Sequence, residues 1–254
     1  MRFSSHLSID DMKILLIAPD DKKFIAERRP NQKLSTHLGA VDLSKLKAGK
    51  IKSNIGQTFT AVPATFLDLL QNSRRGPAVV LPKDAAAIIS NSGLSCSDFV
   101  VDIGTGSGWL AAMLAHAVGP KGSVATYEIR KEFAQLAERN FKFLELKNVK
   151  IKLQDATKKI NEKNADLITV DLPEPWLVLQ HAGKALKVGK FLVAYCPQIT
   201  QVIEFVSKLG SGFRLEKVLE VQEREWNIKP QNNIARPQHN ALTHTAFLVF
   251  SRKL

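Results

Sequence analysis

Very little in this chain would suit it to an oxidising compartment, a membrane or a metal. Cysteine occurs only twice, at Cys96 and Cys196, with no spacing that suits a zinc site or a disulfide-stapled secreted domain, so both read as small buried hydrophobes. No window approaches 18 uninterrupted apolar residues, and Met1 to Asp10 has neither the basic start nor the apolar stretch of a signal peptide. Neither membrane insertion nor secretion is indicated, and a cytoplasmic protein is expected. His6, His37, His116 and His181 show no metal-ligand spacing, and no metal is expected.

Of its 254 residues 44% are hydrophobic, enough for a large core or for a large domain with a small one, and this excludes disorder of the whole. The formal net charge is +12, which favours a polyanionic partner through phosphate contacts and counterion release, although a basic surface also serves solubility. Residues 1–75 hold 13 Lys and Arg against 7 Asp and Glu, a net +6, so positive charge is more than twice as dense there as in the rest.

From Asp11 to about Asn72, short strand-like runs (Met12 to Ala18, Lys23 to Glu27, Leu34 to His37) alternate with turn signals, and a Lys- and Gly-rich segment covers 45–56. This texture reads as a small β-domain over 1–75, closed by a helix over Ala61 to Leu70. After Ser73-Arg74-Arg75-Gly76-Pro77 apolar strands alternate with amphipathic helices. Strands are expected at Phe99 to Ile103, Ser123 to Glu128, Val149 to Leu153, Ala165 to Asp171 and Lys190 to Cys196. Helices are expected at Trp109 to Val118, Lys131 to Leu144, Lys158 to Lys163, Leu177 to Leu186 and Thr200 to Leu209. Two closing strands, Phe213 to Trp226 and Thr245 to Arg252, flank a polar segment. The rhythm predicts an α/β domain over 76–254, a Rossmann-like, seven-stranded, doubly wound sheet ending in a hairpin.

Asp102-Ile103-Gly104-Thr105-Gly106-Ser107-Gly108-Trp109 is a strand end running through a glycine turn into a helix. Such a turn lets a ligand approach the backbone and offers free N–H groups at the helix start. The spacing is G-x-G-x-G behind an acid, where a dinucleotide site wants G-x-G-x-x-G over a pyrophosphate. Asp102 suits the amino group of a methionine moiety better than a pyrophosphate. Glu128, at the end of the next strand, can accept both hydroxyls of a ribose, and Asp155, after the third, can accept from an adenine amino group. Each acid also has a structural alternative: a buried anchor for Asp102, a solvated strand end for Glu128, a helix cap for Asp155. Together the residues from Asp102 to Gly108, with Glu128 and Asp155, resemble the seven-stranded S-adenosylmethionine-dependent methyltransferases.

The fourth strand leads into Asp171-Leu172-Pro173-Glu174-Pro175-Trp176, where two prolines stiffen an acid-and-aromatic lip at the place open α/β sheets bind ligands. With Leu81-Pro82-Lys83-Asp84, Arg236-Pro237 and His244-Thr245, this segment resembles the tRNA adenine-N1-methyltransferases that modify adenine-58 of the T loop, particularly their archaeal form, which also takes adenine-57. The likeness spans essentially the whole chain. It implies S-adenosylmethionine as cofactor, tRNA as partner, a homotetramer, and Asp171 as the carboxylate beside the reacting base and the cofactor. It further implies Gly104, Thr105, Gly106, Ser107, Gly108 and Trp109 as the methionine loop, with Glu128 and Asp155 holding the nucleoside. Pro173, Trp176, Tyr195, Arg236 and His244 are expected to bind substrate, the two aromatics by stacking on a splayed base. Lys83 and Asp84 are expected to shape the pocket wall, and His239 is a further candidate for phosphate contact. Leu81 where an aromatic is frequent, Val188-Gly189-Lys190 for Pro-Gly-Gly, and Ala246 where Gly is frequent depart from the family pattern and leave the named acids intact.

Three other readings compete. An amino-group methyltransferase on DNA or protein would show a tighter Asp-Pro-Pro-aromatic turn, against which Leu172 and Glu174 count. A non-catalytic RNA-binding partner subunit would have lost Asp102, Gly104, Gly106 or Asp171. A nicotinamide oxidoreductase would need the third glycine and a Tyr-Lys pair.

Overall fold

The structure, a computed structural model, describes residues 13–238 and 244–254. It divides into two compact units, one ending at Ser73 and the other running from Arg74 to Leu254. His6 and His239 lie outside the described residues.

The first unit is built from β1 (Ile14–Ile17), β2 (Lys23–Ala26), β3 (Lys33–Thr36), β4 (Gly39–Asp42), β5 (Gly49–Lys52), β6 (Thr58–Pro63) and α1 (Phe66–Asn72). An antiparallel sheet runs β2-β1-β6-β5, and β3 pairs with β4 as a separate hairpin. Period-two alternation explains the core: Ile14, Leu16, Phe59 and Ala61 point to one face and are buried with Val41, Leu43 and Leu46. The helix expected over Ala61 to Leu70 is corrected here. Its first residues extend β6, pairing with β1, and the helix starts only after Thr65, whose side chain accepts from the Asp68 N–H while Asp68 accepts from the Thr65 N–H.

The second unit carries α2 (Pro82–Ser92), β7 (Phe99–Ile103), α3 (Trp109–Val118), β8 (Ser123–Glu128), α4 (Lys131–Phe143), β9 (Val149–Leu153), β10 (Ala165–Val170), α5 (Leu179–Ala185), β11 (Leu186–Cys196) and α6 (Ile199–Ser207). They are followed by β12 (Phe213–Glu220), β13 (Trp226–Lys229), β14 (Ile234–Pro237) and β15 (Phe247–Lys253). The seven-stranded sheet has the order β12-β15-β11-β10-β7-β8-β9, in which only β15 runs antiparallel to its neighbours. Strand order reverses between β7 and β10, so the carboxyl ends of these two strands flank the switch point where such sheets bind ligands. Val101, Ile103, Ile168, Val170, Leu192 and Ala194 are buried between the layers, as strands covered on both faces require.

Three further expectations are corrected, and one helix is added. No helix forms over Lys158 to Lys163, because Asp155 accepts from the N–H and hydroxyl of Thr157 and closes a turn there. The segment expected as strand up to Trp226 ends at Glu220, and beyond it β13 and β14 form a two-stranded ribbon with register Trp226 to Pro237 and Lys229 to Ile234. Helix α2 was not expected, although Pro82 opens it and Gly93, at φ +68°, ends it. Cys196 is buried as anticipated, but Cys96 is exposed. Among the described residues no helix is long and apolar enough to cross a membrane.

Candidate active site

The sheet brings the acids singled out in the sequence to one end. Asp102 is the penultimate residue of β7, Glu128 the last of β8, and Asp155 and Asp171 follow β9 and β10. Parallel register sets Asp102 between Thr126 on β8 and Thr169 on β10. Both threonine hydroxyls donate to it at 2.7 Å, one to each carboxylate oxygen, and the Thr105 hydroxyl bonds that of Thr126 at 2.6 Å. Asp102 is therefore a buried tie across three strands. Burial nevertheless pushes its carboxyl up to about 6 against the two hydroxyl bonds, with the charge of Glu128 adding to the rise.

The glycine turn is held to the neighbouring strand ends. The Gly104 and Thr105 N–H groups donate to the Tyr127 carbonyl at 3.0 Å, and the Gly106 N–H donates to Glu128 Oε2 at 2.9 Å. Glu128 Oε1 accepts from the N–H groups of Ile129 and Arg130, each at 3.0 Å, which aims the carboxylate across the turn. Gly104 has φ +98°, and a Cβ there would lie 2.2 Å from the Asp171 carbonyl oxygen. Only glycine allows the two loops to cross this closely. The Asp171 N–H donates to the Ile103 carbonyl at 2.8 Å, completing the crossing. Asp171 is pushed up to about 7, first by burial and then by the charges on Asp102 and Glu128.

A cleft of about 260 Å³ opens beside this junction, lined among others by Gly104, Glu128, Gln154, Asp155, Leu172, Pro173 and Glu174. A larger groove of about 740 Å³ between α4 and the edge strand β9 holds none of the strand-end acids. The cleft fits a nucleoside: among the described residues Glu128 Oε2 accepts only from Gly106 N–H, and Asp155 Oδ2 is approached only by Lys158 Nζ at 3.7 Å, so each keeps acceptor capacity. The Thr157 hydroxyl and N–H hold Asp155 below its ordinary range, so it is ionised. Beside the turn, Ser107 Oγ and Trp109 Nε1 are buried with no partner among the described residues, two donors left for a bound group, and the Arg75 guanidinium lies 4.8 Å from the centre of the Trp109 indole.

The other expected substrate residues are placed as follows. Pro173 lines the cleft, and its carbonyl accepts from Gln201 Nε2 at 2.9 Å. Trp176 does not line it: its ring packs on the core and carries Lys208 Nζ at 4.5 Å. Tyr195 is buried, and its phenol is pushed up by burial and then by Asp84 and Asp171. Arg236 is exposed on β14. His244 faces two acceptors, Glu220 Oε1 at 2.5 Å and the Pro197 carbonyl at 2.8 Å. Lys83 is buried and donates to Asp84, to the Val221 carbonyl and to the Thr245 hydroxyl, which ties α2 to both roots of the segment carrying the ribbon. Thr126 and Thr169 were not anticipated. Their signal was a polar residue two positions before the strand-end acids Glu128 and Asp171, on the same strand face.

A doubly wound seven-stranded sheet with a glycine turn and carboxylates at successive strand ends defines a class I S-adenosylmethionine-dependent methyltransferase. The chain belongs to the family described as tRNA methyltransferase complex GCD14 subunit, whose profile matches residues 70–234. It is 35% identical over 268 residues to the tRNA (adenine(57)-N(1)/adenine(58)-N(1))-methyltransferase TrmI of Methanocaldococcus jannaschii, covering 94% of each chain. To the tRNA (adenine(58)-N(1))-methyltransferase TrmI of Thermus thermophilus it is 40% identical over 210 residues, covering 81% of each. Among solved structures, the tRNA (m1A58) methyltransferase TrmI of Aquifex aeolicus superposes with a TM-score of 0.80 at 29% identity, over 96% of this chain and 98% of that one. An S-adenosylmethionine-dependent O-methyltransferase of Thermotoga maritima superposes with a TM-score of 0.86 at 33% identity, over 96% and 94%.

Proposed function

We propose that the chain transfers the methyl group of S-adenosylmethionine to N1 of adenine-58 in the T loop of tRNA, with adenine-57 as a second acceptor. The observation that carries this reading is Asp171, a buried carboxylate at the sheet's switch point that feels the charges of Asp102 and Glu128, in a chain that matches tRNA adenine-N1-methyltransferases along most of its length. When bound, S-adenosylmethionine supplies a methyl group on a sulfonium.

Glu128 and Asp155 hold the nucleoside through their free acceptor capacity, and the turn from Gly104 to Gly108 with Trp109 holds the methionine end. Asp102 acts here as the tie that fixes the turn, since both its oxygens already accept hydroxyl donors. Neutral adenine carries its own lone pair at N1 and needs no base. Methylation leaves positive charge on the ring, so Asp171, accepting from the exocyclic amine, stabilises charge as it develops and sets N1 in line. Pro173 and Tyr195 shape the base pocket, and Arg236 and His244 contact the RNA. Residues 1–75 contribute tRNA affinity and assembly. The same reading makes the protein a cytoplasmic homotetramer, which sedimentation at working concentration checks.

The test is incubation with labelled donor and unmodified tRNA, followed by digestion and identification of the modified nucleoside. 1-Methyladenosine at position 58 is expected, and a different nucleoside, or methyl on oxygen, would overturn the assignment.

A further inference from the structure

We infer that the exposed end of the first unit's four-stranded sheet, on the face opposite its core and beyond the buried Leu15, is a phosphate-binding platform for tRNA, centred on Lys23, Lys50 and Lys52. This inference rests on the tRNA reading above and specifies where part of the affinity resides.

Register places these residues together. Lys23 pairs with Ile17, Ile17 with Thr60, and Thr60 with Lys50, so the four side chains form one rung across β2, β1, β6 and β5. Lys52 pairs with Thr58 in the next rung on the same face. Cross-strand partners share a face and residues two apart repeat it, so the rung runs about 14 Å from Lys23 to Lys50, with Lys52 about 7 Å along the strand. The opposite face is spent on the core through Leu16, Phe59 and Ala61. All three lysines are exposed, and the floor between them is hydroxyl and aliphatic: Thr58, Thr60 and Ile17.

The unit's charges are arranged so that this face stays positive. Asp20 pairs with Lys22 and His37, Glu27 with Arg29 and Lys13, and Asp42 with Lys45, so each of these carboxylates is engaged by a cation outside the rung. Asp68 caps α1 and feels Lys23. Among the described residues no carboxylate lies within ion-pair distance of Lys50 or Lys52. A sheet kept soluble by scattered charge would interleave the signs. A face with cations at its margins and hydroxyl donors between them matches a sugar–phosphate backbone instead, and lysine gives it point-charge contacts without base preference.

The experiment measures tRNA affinity of the full-length protein against salt for Lys50→Glu/Lys52→Glu, alone and with Lys23→Glu, beside a control, Lys33→Glu/Lys45→Glu, of equal charge change off this face. The platform variants should bind tRNA at least tenfold more weakly, with the slope of log affinity against log salt reduced by about one for each phosphate that is no longer neutralised. Donor affinity and the methylation rate at saturating tRNA should not change. Lys50→Gln/Lys52→Gln should reduce the slope in the same direction should reversal impair folding. An unaltered slope in the platform variants, or an equal loss in the control, overturns the inference while leaving the wild-type reaction standing. A wild-type protein that neither binds nor methylates tRNA overturns the substrate reading, and the platform with it.

Discussion

Replacing Asp171 by Asn should make the ligand-free protein more stable and nearly inactive. The carboxyl titrates at about 7 in the folded chain against its ordinary value of 3.8, so between these pH values the folded state keeps a proton that the unfolded chain has lost. Stability therefore falls as pH rises through this window and levels off above it. At 1.36 kcal/mol per pH unit, the penalty grows from near zero below pH 4 to about 2 kcal/mol at pH 5 and about 4 at pH 8. Water entry and local relaxation make these upper bounds, and about half is a fair expectation. Asn keeps the shape and the backbone bond to Ile103, carries no charge, and escapes the penalty. In a unit of this size each kcal/mol moves Tm by about 2–4 °C, so the variant should melt roughly 4–8 °C above wild type at pH 8 and level with it at pH 4. Turnover should fall by about 100-fold or more, as for loss of a group aimed at developing charge. Equal Tm values at pH 8, or a gap that does not change with pH, would refute the picture of a carboxylate crowded by Asp102 and Glu128.

Three further outcomes follow from the same geometry. Gly104→Ala puts a Cβ against the Asp171 carbonyl in a left-handed backbone, so it should lower Tm by several degrees and slow methylation together, as melting and single-turnover assays would read. Thr169→Val strips one hydroxyl from buried Asp102 and should cost about 1–3 kcal/mol, more at pH 8 than at pH 5 because Asp102 is ionised there; a denaturant titration at both pH values checks it. His244 is raised above 6.5 by Glu220 and the Pro197 carbonyl, so the stability its contacts give is fully present below 6.5 and lost as pH rises through the folded value. In Glu220→Gln the imidazole resonance should titrate back toward 6.5.

How far the sequence reached follows from burial. Strands β7 and β8 fell on their expected residues because chains covered by neighbours on both sides must be apolar runs, the edge strand β9 did so through its alternation of Val, Ile and Leu with lysines, and β10 was expected one residue too long. The strand-end acids were legible because each closes such a run beside one glycine turn. Short strands of the first unit, such as Gly49–Lys52, were not, since alternation over four residues with two exposed lysines looks like a loop. Ala61 to Leu70 misled because Val62, Phe66 and Leu69 fit a helical period until Pro63 and the Thr65 cap are weighed. Asp102's threonine partners left only a faint local trace, a polar residue two positions before each strand-end acid, because what brings them to Asp102 is cross-strand register. Trp176 was expected over the cleft because it follows a rigid lip, yet that rigidity delivers its ring to the core side, against Lys208.

The position of β15 has a consequence for biosynthesis. This strand sits between β11 and β12, yet it is the last of the seven in chain order. While Phe247–Lys253 is still inside the ribosomal tunnel, β11 and β12 have no common neighbour, and both present unpaired edges. The nascent polypeptide must therefore wait for β15 to thread the gap, a late, non-local closure that invites chaperone attention and makes any lesion within Phe247–Lys253 far more harmful than its length suggests.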